Sequence, residues 1–357
     1  MRKKLTFLSL ALFAVGLLLV GGPFNKAALA AGDNPIKWRL QSVWPSGSAA
    51  YDSLTLTFCK DIKKRTNGRL EIIPFPSGAL VKVMQTFDAV ASGAVDMAFS
   101  AGLYHARKIP EGLVEFGLPF SFTGPPFTFT AHEQTYEFFY EYRGGEVMEI
   151  LREAYAKRGT YLLAAGPTSS YGYMTKFPVK TIADFKGKKI RTFGLFSVLA
   201  KKMGAAPVSI PGAEQYMALQ RGTIDGTIYP YYVLETYKLK EVVSYVVTPP
   251  VLAPPVIEFY VNLNAWQKLP DDLKKIVEET LLEHFKAYSR EAVKLDKKYV
   301  EESKKVGVKV VNLPDEEWEK LRTMSLPIWD IAAGKSEGCA KLVKLLKAYL
   351  KEKGIMP

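Results

Sequence analysis

Residue types that perform covalent chemistry are sparse in this chain and poorly spaced for it. The 357 residues include two cysteines, Cys59 and Cys339, and three histidines, His105, His132 and His284. The cysteines do not form a C-x-x-C pair, and no histidine stands at a recognised spacing from an acid and a nucleophile. There is no G-x-S-x-G elbow, no H-E-x-x-H, no phosphate-binding G-x-x-x-x-G-K-[ST] loop and no G-x-G-x-x-G between a strand and a helix. Each histidine therefore reads as a surface or hydrogen-bonded structural residue, and no catalytic residue is expected. One cation stands out by position. Arg191 lies in the strand-like run Lys189–Phe193, and strand C-termini in open α/β sheets line ligand crevices. A guanidinium offers a planar fork that fits a carboxylate and keeps its charge when buried. Taken alone, the same residue could equally be a surface arginine in a basic run with Lys186, Lys188 and Lys189. Phe193, two residues further on, would face the same side of the strand.

These candidates need a framework, and the chain is long enough to supply one. At roughly 150 residues per domain the length suits two domains, with a core that needs no disulfide staples. Hydrophobic residues make up 48% of the sequence and charged ones 24%, the profile of a folded globular protein. The net charge is +12; Arg2, Lys3, Lys4 and Lys26, with no acid, fall in the first thirty residues, so +8 remains for the rest. A mild, evenly spread positive charge suits small anions and not nucleic acid. Residues 1–30 read as a secretory signal peptide, with a basic start, an apolar run from Leu5 to Val20 and the cleavage signature Ala28-Leu29-Ala30. No later run reaches the ~18 apolar residues of a membrane span. Export to a periplasm is the expectation. In that oxidising space Cys59 and Cys339 could pair or remain two buried thiols, and their spacing leaves both open.

Beyond the signal, short strand-like runs alternate with helical ones, an α/β pattern. Ile36–Gln41, Leu70–Phe75 and Val95–Phe99 read as strands, with helices from about 49 to 66 and from 81 to 92. One unit recurs. Ala89–Asp96 matches Ala218–Asp225, each with a helix-stopping glycine, a buried strand start and an aspartate. Two similar α/β lobes would produce such a repeat. The chain should cross between them near Gly159–Ser170 and again over Thr248–Pro255, where prolines stiffen it. A helical pattern from Asp271 to about Val306 covers ~36 residues or ~54 Å, longer than one lobe, so it is expected to span both. Lobe I is expected over 31–168 with about 258–300 returning to it, and lobe II over 169–257 with about 301–357 returning to it.

Several segments carry a family resemblance in the family's order. Gly117–Phe122 (GLPFSF), Thr181–Arg191 (TIADFKGKKIR), Met203–Val208 (MGAAPV) and Glu214–Gly226 (EQYMALQRGTIDG) resemble the solute receptors of tripartite ATP-independent periplasmic (TRAP) transporters, as do Val261-Asn262, Trp266 and Leu269. Gln41–Gly47 (QSVWPSG) is similar to the branch that binds 2-oxo acids and related monocarboxylates. The resemblance implies a two-lobed α/β binding protein with a ligand cleft between the lobes and a long helix spanning both. It implies that Arg191 holds a carboxylate of a small organic acid, that Trp44 and Ser46 border the ligand, and that Tyr171 and Tyr229 approach it. The partners implied are the membrane subunits of a TRAP transporter.

The sequence departs from that branch at one point. Ile228 stands where an acidic residue would hold a cation bridging to the ligand, and an isoleucine cannot ligate a hard cation. The expectation is binding without metal or cofactor, of an acid larger or flatter than a simple 2-oxo acid, given Tyr229, Tyr231, Tyr232 and Tyr237 nearby. The receptor of an ATP-driven importer is an alternative that the long helix disfavours; a ligand-presenting sensor and a periplasmic enzyme are others. Nothing in the sequence fixes the oligomeric state, and a monomer is the expectation.

Overall fold

Period-two alternation builds the first strand. In Ile36–Ser42, Trp38 and Leu40 are buried while Lys37 and Arg39 face solvent. The computed structural model describes residues 34–122 and 130–355; the expected signal peptide at 1–30 lies outside the described residues. The strands run β1 (Ile36–Ser42), β2 (Leu70–Phe75), β3 (Met97–Ser100), β4 (Thr160–Pro167), β5 (Tyr171–Thr175), β6 (Lys189–Arg191), β7 (Ala206–Val208), β8 (Gly226–Pro230), β9 (Tyr245–Thr248), β10 (Val256–Asn262) and β11 (Lys309–Asn312). The helices are α1 (Leu56–Arg65), α2 (Thr86–Ala91), α3 (Gly112–Phe116), α4 (Thr130–Tyr136), α5 (Glu146–Ala156), α6 (Gly194–Lys202), α7 (Gln215–Gln220), α8 (Val233–Thr236), α9 (Leu263–Lys268), α10 (Asp271–Lys304), α11 (Asp315–Ala333) and α12 (Glu337–Glu352). None of the described helices is long and apolar enough to cross a membrane.

The strands form a five-stranded sheet, β2-β1-β3-β10-β4, and a six-stranded sheet, β11-β9-β5-β8-β6-β7. Their topologies match. In the first, β2, β1 and β3 are parallel and β10 lies antiparallel between β3 and β4. In the second, β7, β6 and β8 are parallel and β5 lies antiparallel between β8 and β9. The recurring sequence unit occupies the same place in each. Gly93 and Gly222 stop α2 and α7 in the left-handed region, at φ 80° and 71°. The carboxylates of Asp96 and Asp225 then accept the backbone N–H of Arg39 in β1 and of Lys189 in β6, both at 2.8 Å. Each aspartate thus locks the start of β3 or β8 onto its parallel neighbour.

The chain passes from the first sheet to the second over 168–170 and back over 249–255. The 34-residue α10, about 51 Å long, contacts α1 and β4 on one side and α8 and β11 on the other. Its buried Asp296 accepts the backbone N–H groups of Ser170 and Tyr232, each at 3.0 Å, so one carboxylate fixes the first passage and the end of β8 to the same helix. α11 packs on α6, whereas α12 packs on α3 and α5. Cys59 in α1 and Cys339 in α12 are separate buried thiols with no bridge.

A polar cluster lies inside the first sheet's core. Glu258 sits in the otherwise apolar β10 and Glu115 in α3, both fully enclosed. Tyr155 donates to Glu115 Oε2 at 2.7 Å, its hydroxyl lies 2.8 Å from His105 Nε2, and that nitrogen is 3.8 Å from Glu258 Oε1. Burial pushes the Glu115 carboxyl up to about 8, with the charge of Glu111 adding and the Tyr155 bond opposing. Burial, then the neighbouring Glu115, raises Glu258 as well, while burial holds His105 down at about 3 and therefore neutral. A carboxyl raised in the folded state binds its proton more tightly there than in the unfolded chain. The stability it contributes is complete below the ordinary carboxyl range and is lost as pH rises towards about 8. Glu115→Gln keeps an acceptor for Tyr155 and removes the titration. Its melting temperature should match wild type near pH 4.5 and exceed it by at least ~2 °C at pH 8. An unaltered pH profile in differential scanning calorimetry would contradict this.

Candidate functional site

The parallel strands of both sheets end at one cavity, as strand C-termini do in α/β crevices. Trp44 follows β1, Leu103 and Tyr104 follow β3, Arg191 ends β6, and Ile228 and Tyr229 lie in β8. Tyr171 opens β5, Phe116 closes α3, and Phe193 leads into α6, whose first turn supplies Leu195 and Phe196. The space is narrow. Its whole empty volume is about 580 Å³ with the mouth included, of which about 30 Å³ is deep and wide enough for the centre of a water molecule. Beside it, and sharing Leu103, Tyr104, Leu113, Phe193 and Gly194, opens a wider antechamber with an empty volume of about 1260 Å³, bordered by Arg107 and Lys335.

Arg191 is the charged group of the inner cavity. It is 2% exposed, and local structure holds it from three directions. Its Nε donates to the Ile210 carbonyl at 3.1 Å and its Nη1 to the Ile228 carbonyl at 3.4 Å. The Phe193 and Tyr229 rings lie against the guanidinium, with centroids 4.2 and 4.6 Å from its carbon. Nη2 is buried and makes no hydrogen bond among the described residues. A buried cationic donor without a partner costs free energy, so the geometry leaves Nη2 as an open donor at the cavity.

Around that donor the polar groups are phenols. Tyr171 lies 5.4 Å from Tyr229, centroid to centroid, and 5.6 Å from Phe116, and its backbone N–H is tied to Leu252 in the second passage at 2.7 Å. The Tyr104 hydroxyl interacts with both Arg191 and Tyr229, and Tyr229 in turn with Tyr237. Burial holds the Tyr104, Tyr171 and Tyr229 phenols above the ordinary tyrosine range, so they remain neutral hydrogen-bonding groups. Gly212 makes room for one of them: a Cβ there would stand 2.4 Å from the Tyr229 hydroxyl. Trp44 is buried against Phe99 at 4.4 Å.

The structure therefore brings Arg191, Tyr171, Trp44, Phe193 and Tyr229 to one cavity. It does not bring Ser46. β1 ends at Ser42, Val43 and Trp44 turn inward, and the chain then bends out through Gly47 at φ 86°, leaving Ser46 in solvent. The expected strand through Phe193 is also shorter. β6 ends at Arg191, with one further bond from the Thr192 N–H to the Val208 carbonyl at 3.1 Å, and Phe193 is an extended residue preceding α6 whose ring still reaches the guanidinium. Asp225 serves the backbone of Lys189 and does not line the cavity. No histidine lines it either. His105 and His132 are buried elsewhere, and His284 lies 3.2 Å from Asp61. Sequence reasoning missed Tyr104, Leu103 and Phe116. The repeat held a signal for the first two, because β3 and β8 are equivalent and the end of one implies the end of the other.

No aspartate or glutamate lines the cavity, and the described residues hold no group of His, Cys, Asp and Glu able to bind a metal ion. Position 228 contributes an isoleucine side chain and a carbonyl already used by Arg191. A hard cation needs several oxygen donors, preferably charged ones. The residues present do not fit one.

Comparison with known proteins matches residues 40–335 to the bacterial extracellular solute-binding proteins, family 7. The chain is 28% identical over 332 residues to a monocarboxylate 2-oxoacid-binding periplasmic protein of Nostoc sp., covering 92% of this chain and 88% of that protein. A TRAP periplasmic solute-binding protein from Rhodoferax ferrireducens with bound malonate has a TM-score of 0.79 at 25% identity, covering 89% of this chain and 100% of that one. Another, from Pseudoalteromonas atlantica with bound sodium and pyruvate, gives 0.76 at 26% identity over 89% and 95% of the two chains. With that match spanning both sheets and the cavity between their strand ends, the chain belongs to family 7 of the bacterial extracellular solute-binding proteins, the solute receptors of TRAP transporters.

Proposed function

We propose that this protein captures a small organic carboxylate in the cavity around Arg191 and delivers it to the membrane subunits of a TRAP transporter. The observation that carries the reading is the buried guanidinium with an unpartnered Nη2. A carboxylate is the group that matches such a guanidinium in charge, planarity and donor spacing. Phe193 and Tyr229 hold the guanidinium plane, Tyr104 and Tyr171 offer hydroxyls to the ligand's remaining oxygens, and Trp44 forms a wall. Relatives with malonate or pyruvate bound support the ligand class. The cavity's described lining has no nucleophile paired with a base, which favours capture over turnover. Residues 1–30 fit export to a periplasm, and the receptor acts there as a monomer.

The lobes proposed are 31–168 and 169–257, each centred on one sheet. α10 returns about 258–300 to the first, and β11 and α11 return to the second. About 301–357 is taken to return to the second lobe, and α12 packs on α11 as well as on α3 and α5. Entry to so narrow a space requires the lobes to part along the two passages and α10, and a bound ligand then favours the closed form.

Two experiments test the reading. For the tightest-binding acid in a calorimetric screen of carboxylates, removing one partner of a desolvated ion pair costs on the order of 2–5 kcal/mol. Arg191→Ala should therefore weaken binding by roughly thirtyfold to several thousandfold. Arg191→Lys, which keeps the charge and loses the fork, should be impaired less. Lys188→Ala, whose ammonium lies over Phe177 outside the cavity, should bind as wild type does. Equal affinity for wild type and Arg191→Ala would sink the assignment. Separately, small-angle scattering should show the radius of gyration falling at saturating ligand, and an unchanged curve would count against closure.

A further inference from the structure

The charges present and missing around Arg191 select among carboxylates. We propose that the ligand is a singly charged, non-zwitterionic monocarboxylate with an apolar, flat or branched body, bound without a cation. This rests on the reading that Arg191 holds the carboxylate.

The inner cavity has one cation and no acid. A second carboxylate on the ligand would be buried with only neutral phenols to meet it, since burial keeps Tyr104, Tyr171 and Tyr229 protonated. An ammonium on the ligand would find no carboxylate at all. Either group would lose its hydration without an ion partner, which selects strongly against it. A bridging metal ion meets the same obstacle, because the wall at position 228 is isoleucine and its carbonyl is engaged by Arg191. A sodium ion such as the one bound together with pyruvate in the Pseudoalteromonas atlantica neighbour therefore finds no charged oxygen donor in this lining.

The walls state what the rest of the ligand should be. Leu103, Phe116, Leu195, Phe196 and Trp44 present hydrocarbon, and an acid as small as pyruvate would leave that surface uncovered. The Phe193 and Tyr229 rings lie against the guanidinium and add flat aromatic surface beside its fork, which favours a flat body on the ligand. A neutral keto or hydroxyl oxygen is compatible, because Tyr104 and Tyr171 can bond to it. The antechamber agrees with an anionic solute of low charge. Arg107 and Lys335 border it, both exposed and neither in an ion pair among the described residues, and no acid lines it. Their field attracts any anion, so selection between anions falls to the inner cavity.

Matched acids separate these features. The probes are 3-phenylpropanoate, L-phenylalanine (the same body with an ammonium), benzylmalonate (the same body with a second carboxylate) and propanoate (the body removed). 4-Methylpentanoate, L-leucine and isobutylmalonate repeat the comparison with a branched aliphatic body, and pyruvate and malonate complete the set. Calorimetry is run on the protein in sodium-free buffer with chelator, then with sodium and calcium restored. The expected result is that at least one of the two bulky monoacids binds at least about tenfold tighter than its ammonium and dicarboxylate counterparts and than propanoate, pyruvate and malonate. Its affinity should change less than about twofold when cations return. A zwitterion or diacid that binds as tightly, preference for pyruvate or malonate, no binding by either bulky monoacid, or binding only with cation would each overturn the inference. Arg191→Ala, assayed with whichever probe binds, keeps the two readings apart. Malonate or pyruvate binding that Arg191→Ala abolishes would leave the carboxylate reading standing and the ligand class wrong. Binding indifferent to Arg191→Ala would remove both.

Discussion

A permanent positive charge is buried at the point where two sheets end, and the surrounding structure holds it without neutralising it. Arg191 spends its Nε and Nη1 on the carbonyls of Ile210 and Ile228, and the Phe193 and Tyr229 rings lie against the guanidinium. Nη2 is left without a hydrogen bond among the described residues. Those contacts fix the plane and direction of the fork before any ligand arrives, which reduces the ordering cost of binding. In the proposed reading, an incoming carboxylate supplies the missing acceptor.

The architecture serves this constraint twice over. In each sheet a glycine stops a helix and an aspartate, Asp96 or Asp225, pins the next strand to its parallel neighbour. The strands so placed, β3 and β8, deliver their C-terminal ends to the same cavity from the two sheets. Asp296 of α10 ties both the first passage, just before Tyr171, and Tyr232, just after Tyr229, to one rigid helix. Gly212 shows how tightly the site tyrosines are packed, since a single added carbon would strike the Tyr229 hydroxyl.

Much of this was legible in the sequence, for identifiable reasons. Arg191 was readable because strand periodicity and the surrounding motif both point to a strand end. Phe193 followed from its spacing of two from Arg191, whereas Trp44, Tyr171 and Tyr229 came from what the family resemblance implies. The repeated glycine–aspartate unit correctly implied two similar sheets, because its residues act on their own backbone neighbours. Ser46 lies outside the cavity lining for the opposite reason: it sits in the exposed turn at Gly47, and no short motif records the direction of a loop. Tyr104 stayed hidden because it lies beyond β3 on a short 3-10 turn, and only the pairing of β1, β3 and β10 brings it to Arg191. Glu115 and Glu258 were in plain view, one of them inside an apolar strand. Their enclosure depends on α3 and β10 packing together, a tertiary fact.

The central claim, that a carboxylate pairs with the open Nη2 donor of Arg191, is tested most directly by a crystal structure of the protein with its bound acid. A carboxylate oxygen is expected about 2.7–2.9 Å from Arg191 Nη2, with the guanidinium still against Phe193 and Tyr229 and bonded to the carbonyls of Ile210 and Ile228. An acid seated elsewhere in the cavity, with Nη2 turned to a protein acceptor, would contradict it.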